Sequence, residues 1–164
     1  MNEHPTVSIL MVCMGNICRS PTAHGVFRHR LAEANLLERI LVESAGTHGY
    51  HVGHGPDRRA RESARERGYE FDDLRARQVE PADFERFDYV LAMDRDNLAV
   101  LDRLGADAGG RAEIALFLDY TPDLAGREVP DPYYGGMNGF EDVLDLVEAG
   151  ADGLLAHMRR QHGI

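Results

Sequence analysis

Residues 7–27, VSILMVCMGNICRSPTAHGVF, restrict the possible folds of this chain more than any other run. Residues 8–12 are mostly apolar and end at a turn signal, as a buried strand should. Gly15 and Asn16 tolerate unusual backbone angles, so the chain can curl there. Pro21 suits the first turn of a helix, where its missing N–H costs nothing, and Ser20 before it reads as the N-cap. Ala23, Phe27, Leu31 and Ala34 then recur at helical spacing. A strand that runs through a tight loop into a helix needs a crossover to reach its next parallel neighbour. It also places Cys13 at the carboxyl end of the strand, with a helix N-terminus aimed back at it.

Such a loop is an anion site. Successive backbone N–H groups in a curled segment converge on one point, and the helix dipole adds partial positive charge there. Arg19, six residues after Cys13, can grip two oxygens of a phosphate at once, which a lysine cannot. The same field stabilises a thiolate. A free cysteine titrates near 8.5, and at a helix N-terminus beside a cation this can fall to roughly 3.5–7.5. A phosphate bound above an activated nucleophile is one reading; a small inert core cysteine at a strand end is the other. No G-K-[ST] follows, which excludes a Walker-type nucleotide loop, and the glycine spacing does not fit a dinucleotide fingerprint.

The remaining chain alternates strand and helix signals. Strands are expected at residues 40–45, 88–92 and 113–118. Helices are expected at residues 57–67, stopped by Gly68, at 81–87, and at 94–104, ended by Gly105. A long terminal helix opens at Asn138, with Glu141 three residues on. It carries one apolar stripe of Phe140, Val143, Leu144, Val147, Ala151, Leu154, Leu155 and Met158, read as core. This order predicts an α/β domain spanning residues 1–164, a parallel sheet wrapped by helices on both faces. Ligands of such sheets sit at the carboxyl ends of the strands, where the cysteine loop lies.

At 164 residues one domain can bury a real core. The net charge of −10 makes nucleic acid and anionic membranes poor partners, and no apolar run is long enough to span a bilayer. The first residues lack the basic start and apolar middle of a signal peptide, so a cytoplasmic location is the expectation. All 18 basic residues are arginine, which reads as compositional bias. His48, His51 and His54 fall in a glycine-rich loop, three residues apart, without a cysteine or carboxylate cluster beside them. A polar loop with Tyr50 as an aromatic surface is preferred over a metal site.

Transfer of a phosphoryl group from an ester needs a proton for the leaving oxygen. Residues 121–138 form the longest irregular stretch, and within VPDPYYGG the backbone of Asp131 is stiffened by Pro130 and Pro132. Taken alone, Asp-Pro is a common turn. Tyr133 and Tyr134 could wall a pocket for a flat ring or simply pack.

CMGNICRSPTA near the N-terminus and DPYYGG near the C-terminus resemble the low-molecular-weight protein tyrosine phosphatases. The likeness extends through ESAG at residues 43–46 and FDYVLAMDRDNL at 87–98. It implies a four-stranded parallel sheet and a phosphotyrosine hydrolase. Cys13 would be the nucleophile, Arg19 the phosphate clamp and Asp131 the general acid and then base. The phosphate-binding loop would comprise Met14, Gly15, Asn16, Ile17, Cys18 and Ser20. Asn16, Ser20 and Ser44 would brace it by hydrogen bonds, Ser20 also steadying the thiolate. Tyr50, His51, Tyr133 and Tyr134 would form the substrate rim. Cys18 would be the redox partner that traps an oxidised nucleophile as a disulfide. Neither metal nor other cofactor is implied. The expected partner is a tyrosine-phosphorylated protein, with a bacterial tyrosine kinase as a candidate. One position departs from the pattern: many relatives have a histidine just before the R-A-R run, where Leu74 stands here. Arsenate reduction is disfavoured because no third cysteine lies mid-chain. Arginine-phosphate hydrolysis would favour threonine at Ile17 and a less aromatic acid loop. A silent phosphate-binding module is disfavoured by the complete cysteine, arginine and aspartate set.

Overall fold

A computed structural model of the chain describes residues 5–134, 136 and 138–164. The chain start bearing on a signal peptide therefore lies partly outside the described residues, as does Gly135 of the DPYYGG run. The element order is β1 (Val7–Cys13), α1 (Arg19–Glu33), β2 (Ile40–Gly46), α2 (Arg58–Glu66), α3 (Asp83–Arg86), β3 (Tyr89–Ala92), α4 (Arg95–Ala108), β4 (Glu113–Leu116) and α5 (Gly139–His162). Two short 3-10 turns, Phe117–Tyr120 and Pro122–Leu124, lie between β4 and α5.

The strands form one sheet in the order β2-β1-β3-β4, every pair parallel. β1 pairs with β2 on one side, Cys13 opposite Gly46, and with β3 on the other, Val12 opposite Ala92. The connection leaving β1 runs to β2 on one side and that leaving β3 runs to β4 on the other, so the two diverge between the carboxyl ends of β1 and β3. That is the switch point where an open parallel sheet forms its ligand crevice.

All seven residues of β1 are buried, because helices cover both faces. Val7, Ile9, Met11 and Cys13 face α1 and α5 through Ala23, Val26, Phe27, Leu31, Val143, Leu144, Val147, Leu154 and Met158. Leu10 and Val12 face the other layer, built on Phe84, Phe87 and Leu101. Fully burying a side chain the size of Phe27 is worth about 2–3 kcal/mol. The core that holds β1 in place is thus the foundation of the loop that follows it.

Several boundaries differ from the sequence expectation. α4 does not end at Gly105 but runs through it and stops at Gly109, whose φ of +68° is the left-handed cap. Gly105 is buried mid-helix, where an added Cβ would come within 2.6 Å of Ile114 Cδ1, so its smallness serves packing. The fourth strand stops at Leu116, and Phe117 and Leu118 turn into the core. In the stripe of α5, Phe140 and Leu155 are half-buried while the other expected members are buried. Asn138 stands at the N-cap without a side-chain capping bond. Ser20 is not a cap either: α1 begins at Arg19 after Cys18, and the Ser20 hydroxyl points at the cysteine.

Candidate active site

The phosphate loop spans the end of β1 and the start of α1. Three of its carbonyls are occupied: Cys13 O accepts from Thr47 N at 2.9 Å, Met14 O from His48 N at 3.0 Å and Ile17 O from Asp57 N at 2.7 Å. Among the described residues, no backbone N–H from Met14 to Cys18 donates to a protein group. Carbonyls occupied and amides free is the arrangement an anion needs. β2 passes close beneath: a Cβ on Gly46 would lie 2.6 Å from Met14 O and 3.1 Å from the carbonyl carbon of Gly15.

Asn16 makes the curl. Its φ of +58° is unusual for a residue with a side chain, and both ends of its amide are held. Oδ1 accepts from Arg77 N at 3.0 Å and Nδ2 donates to Ser20 Oγ at 2.8 Å. Because Ser20 Oγ already accepts from Asn16, its own proton is free to donate. Cys13 Sγ lies 3.1 Å away and Ala45 O 3.4 Å. A sulfur carrying negative charge takes that proton in preference to the longer carbonyl contact. The relay from Arg77 through Asn16 and Ser20 therefore ends on the Cys13 sulfur.

Arg19 is buried beside the cysteine. Its Nη1 donates to Asp94 Oδ2 at 2.6 Å and to Val129 O at 3.1 Å. Burial opposes its charge, but Cys13 and the Asp94 carboxylate outweigh that and keep the guanidinium charged. Cys18 is also buried and reduced. Burial, with Cys13 nearby, pushes its thiol pKa far up, so it stays protonated.

One cleft of about 310 Å³ brings most of the expected residues together: Cys13, Met14, Gly15, Ile17, Cys18, Arg19, His51, Asp131, Tyr133 and Tyr134. Asp131 Oδ1 accepts from Tyr133 N at 3.0 Å, a local turn that fixes the carboxylate. His51 leans on the loop, its Cδ2 being 3.0 Å from where a Gly15 Cβ would sit. Tyr134 is 91% exposed at the mouth. Tyr50 is not in the cleft lining; it is 71% exposed and its ring stacks on His48 at 5.2 Å. A larger, shallower groove of about 690 Å³ between Arg95, Arg127 and Leu146 holds neither Cys13 nor Asp131.

Ser44 is buried on β2, but its hydroxyl does not reach the loop. It lies 3.0 Å from Nδ1 of His24, on α1 one turn beyond Ser20. Burial, aided by Arg28 and opposed by Asp73, lowers the pKa of His24 to about 4, so the ring is neutral. Leu74 packs against the core and lines a small void with Asn16 and Ser44. Where Leu74 offers no hydrogen bond, His24 supplies one from the helix side.

Sequence reasoning missed Asp94, His24 and the backbone N–H of Arg77. Asp94 carried a signal. It opens α4 as N-cap, Oδ1 accepting from Asn97 N at 2.8 Å, and an aspartate cap has a second oxygen to spare.

A buried cysteine beside loop amides that have no protein partner among the described residues, flanked by a fixed guanidinium and a carboxylate, is an arrangement suited to an anion. The comparisons agree with that reading. Residues 8–163 match the family model described as low molecular weight phosphotyrosine protein phosphatase. The low molecular weight protein-tyrosine-phosphatase of Streptomyces coelicolor is 44% identical over 158 residues, covering 95% of this chain and 96% of its own. The crystal structure of YfkJ from Bacillus subtilis superposes with a TM-score of 0.89 at 39% identity, covering 98% and 99%. An arginine phosphatase of Drosophila superposes with a TM-score of 0.85 at 30% identity, covering 92% and 97%. The chain belongs to the low molecular weight phosphotyrosine protein phosphatase family.

Proposed function

We propose that this protein hydrolyses phosphotyrosine in proteins, and aryl phosphates generally, through a phosphocysteine on Cys13. The cleft that joins Cys13, Arg19, Asp131 and two tyrosines carries the reading. The Cys13 thiolate attacks phosphorus in line with the leaving oxygen. The Cys13 S–P bond forms as the aryl O–P bond breaks, and Asp131 gives its proton to the departing phenolate. Arg19 and the free amides from Met14 to Cys18 hold the three equatorial oxygens throughout. Water then attacks the phosphocysteine. Asp131 takes its proton, inorganic phosphate leaves and the thiolate is restored. The side chains at the site supply nucleophile, charge and proton without a cofactor.

The shape of the cleft supports an aryl ester over a short alkyl one. Tyr133 and Tyr134 flank the entrance, and Met14 and Ile17 add apolar wall around a polar floor. The fold alone does not separate this reading from arginine-phosphate hydrolysis, since the Drosophila neighbour shares it. Ile17 and the paired tyrosines favour the ring. A tyrosine-phosphorylated protein of the cytosol, such as an autophosphorylated bacterial tyrosine kinase, is the partner this implies. Cys18, a protonated thiol in the same loop, is placed in sequence to capture a sulfenic acid on Cys13 as a disulfide with loss of water.

The test is hydrolysis of an aryl phosphate against pH, in chelator and reductant, for wild type and Cys13→Ser. A metal-independent bell that vanishes in the variant is expected, with phosphotyrosine peptides turned over faster than phosphoarginine or phosphoserine ones. Turnover that survives Cys13→Ser, or a preference for phosphoarginine, overturns the assignment.

A further inference from the structure

Asp57 connects two segments that must act together. Its backbone N–H donates to Ile17 O of the phosphate loop at 2.7 Å. Its Oδ1 caps α2, accepting from Arg59 N at 2.8 Å and Ala60 N at 3.2 Å. Its Oδ2 is left over, and it accepts from the phenol of Tyr133, 76 residues away in the acid loop. Tyr133 in turn donates its backbone N–H to Oδ1 of Asp131 at 3.0 Å. An unbroken path of three hydrogen bonds thus runs from the phosphate loop through Asp57 and Tyr133 to the carboxylate of Asp131.

The surroundings strengthen that path. The guanidinium carbon of Arg59 lies 5.0 Å from the centre of the Tyr133 ring and 4.8 Å from that of Phe140. Phe140 meets Tyr133 edge-on at 6.0 Å. The tyrosine is therefore clasped by α2 on one side and by the start of α5 on the other. Burial and the Asp57 carboxylate push its phenol pKa up, so the hydroxyl remains a donor at any working pH. A residue needed only as an apolar wall for a substrate ring has no use for a hydroxyl tied to a helix cap.

We propose that Asp57 and Tyr133 form a latch that registers the Asp131 loop on the phosphate loop, making both positioning residues for proton donation to the leaving group. This rests on the assignment of Asp131 as the general acid. The latch holds Asp131 Oδ1 through the Tyr133 amide and leaves Oδ2 free to face the bridging oxygen. Losing it lets the acid loop drift while the anion site stays whole, because none of the groups that contact phosphate is altered. A displacement of the donor by a fraction of an ångström is enough to matter.

The variants are Tyr133→Phe, which keeps the ring, and Asp57→Ser, which keeps a capping oxygen but cannot serve helix and phenol together. Each is assayed as kcat/KM, which reports the first chemical step, on p-nitrophenyl phosphate and on phenyl phosphate. Inhibition by inorganic phosphate reports the anion site. Each variant should lose about 10-fold on phenyl phosphate, whose leaving group needs the proton, and less than about 2-fold on p-nitrophenyl phosphate. Phosphate inhibition should stay within about 2-fold, and the double variant should be no worse than either single one, because they cut the same link. Equal losses on both substrates, weakened phosphate inhibition or additive losses would overturn the latch. Asp131→Ala separates the two levels. If it shows the leaving-group dependence and the latch variants do not, the latch alone fails; if it shows none, the acid assignment fails first. Should Asp57→Ser not fold, Tyr133→Phe decides alone.

Discussion

Asp94 holds Arg19 with one carboxylate oxygen, 2.6 Å from Nη1, and caps α4 with the other, 2.8 Å from Asn97 N. The guanidinium is thereby fixed before any phosphate arrives, with Val129 O as a second anchor on the same nitrogen. Fixing the fork in advance removes its rotamer entropy from the binding step. Asp94→Ser keeps a cap but leaves a buried cation short of its partner. A charge-assisted bond of this kind is worth roughly 1.5–3 kcal/mol. The expected result is a fall of about 10- to 100-fold in kcat/KM for aryl phosphates together with a lowered thermal midpoint, because the buried guanidinium loses its carboxylate. A variant with unchanged kcat/KM would mean that the loop amides alone orient the anion.

Gly46 offers a steric test of the loop's shape. A methyl group there would meet the Met14 carbonyl oxygen at 2.6 Å and the Gly15 carbonyl carbon at 3.1 Å, and backbone cannot swing aside as a side chain can. Gly46→Ala should push the loop off the strand and open the ring of amides. Inhibition by inorganic phosphate should weaken by about 10-fold, and stability should drop by about 1–3 kcal/mol, the usual range for overpacking. Wild-type phosphate inhibition in this variant would show that the loop tolerates displacement.

The two thiols should differ sharply towards an alkylating agent. Both thiols line the cleft, but burial and its neighbour hold the Cys18 thiol protonated. Brief treatment with iodoacetate at neutral pH should modify Cys13 alone, as read by mass spectrometry, and inorganic phosphate should protect it. Carboxymethyl groups appearing on both cysteines at similar rates would contradict the buried, protonated state of Cys18.

The sheet, its helices and the cysteine loop were legible because their signals are local. The alternation of strand and helix patterns dictates a parallel sheet, and Cys13, Asn16, Arg19 and Ser20 lie within eight consecutive residues. Asp131 was legible only in company, since Asp-Pro by itself marks a turn. What sequence alone did not reveal are the long-range partners. Arg19 finds Asp94 across 75 positions and His24 finds Ser44 across 20, and no periodicity encodes either pairing. Gly105 misled because glycine usually ends helices; here its lack of a side chain lets Ile114 and Phe84 close on α4. Of the two rim residues expected from the histidine-bearing loop, His51 lies on the cleft wall, whereas Tyr50 stacks on His48 outside the cleft lining.

His24 makes stability depend on pH in a defined direction. It is only 8% exposed, and burial with the Arg28 guanidinium lowers its pKa from 6.5 to about 4, while Asp73, itself clamped by Arg28 at 2.9 Å, opposes the shift weakly. The unfolded chain therefore takes up a proton near pH 6.5, whereas the folded chain resists until about pH 4. Between those values the unfolded state binds more protons, so stability is full above pH 6.5 and falls as the pH drops towards 4. Going from pH 7 to pH 5 should cost on the order of 2 kcal/mol from this residue. His24→Asn keeps a polar atom near the Nδ1 position for Ser44 and does not titrate. Urea unfolding at the two pH values should show a loss in wild type that is smaller in the variant by about that amount. Parallel losses in the two proteins would mean that His24 is protonated in the folded state, and the Ser44 contact would then have to be one in which Nδ1 donates.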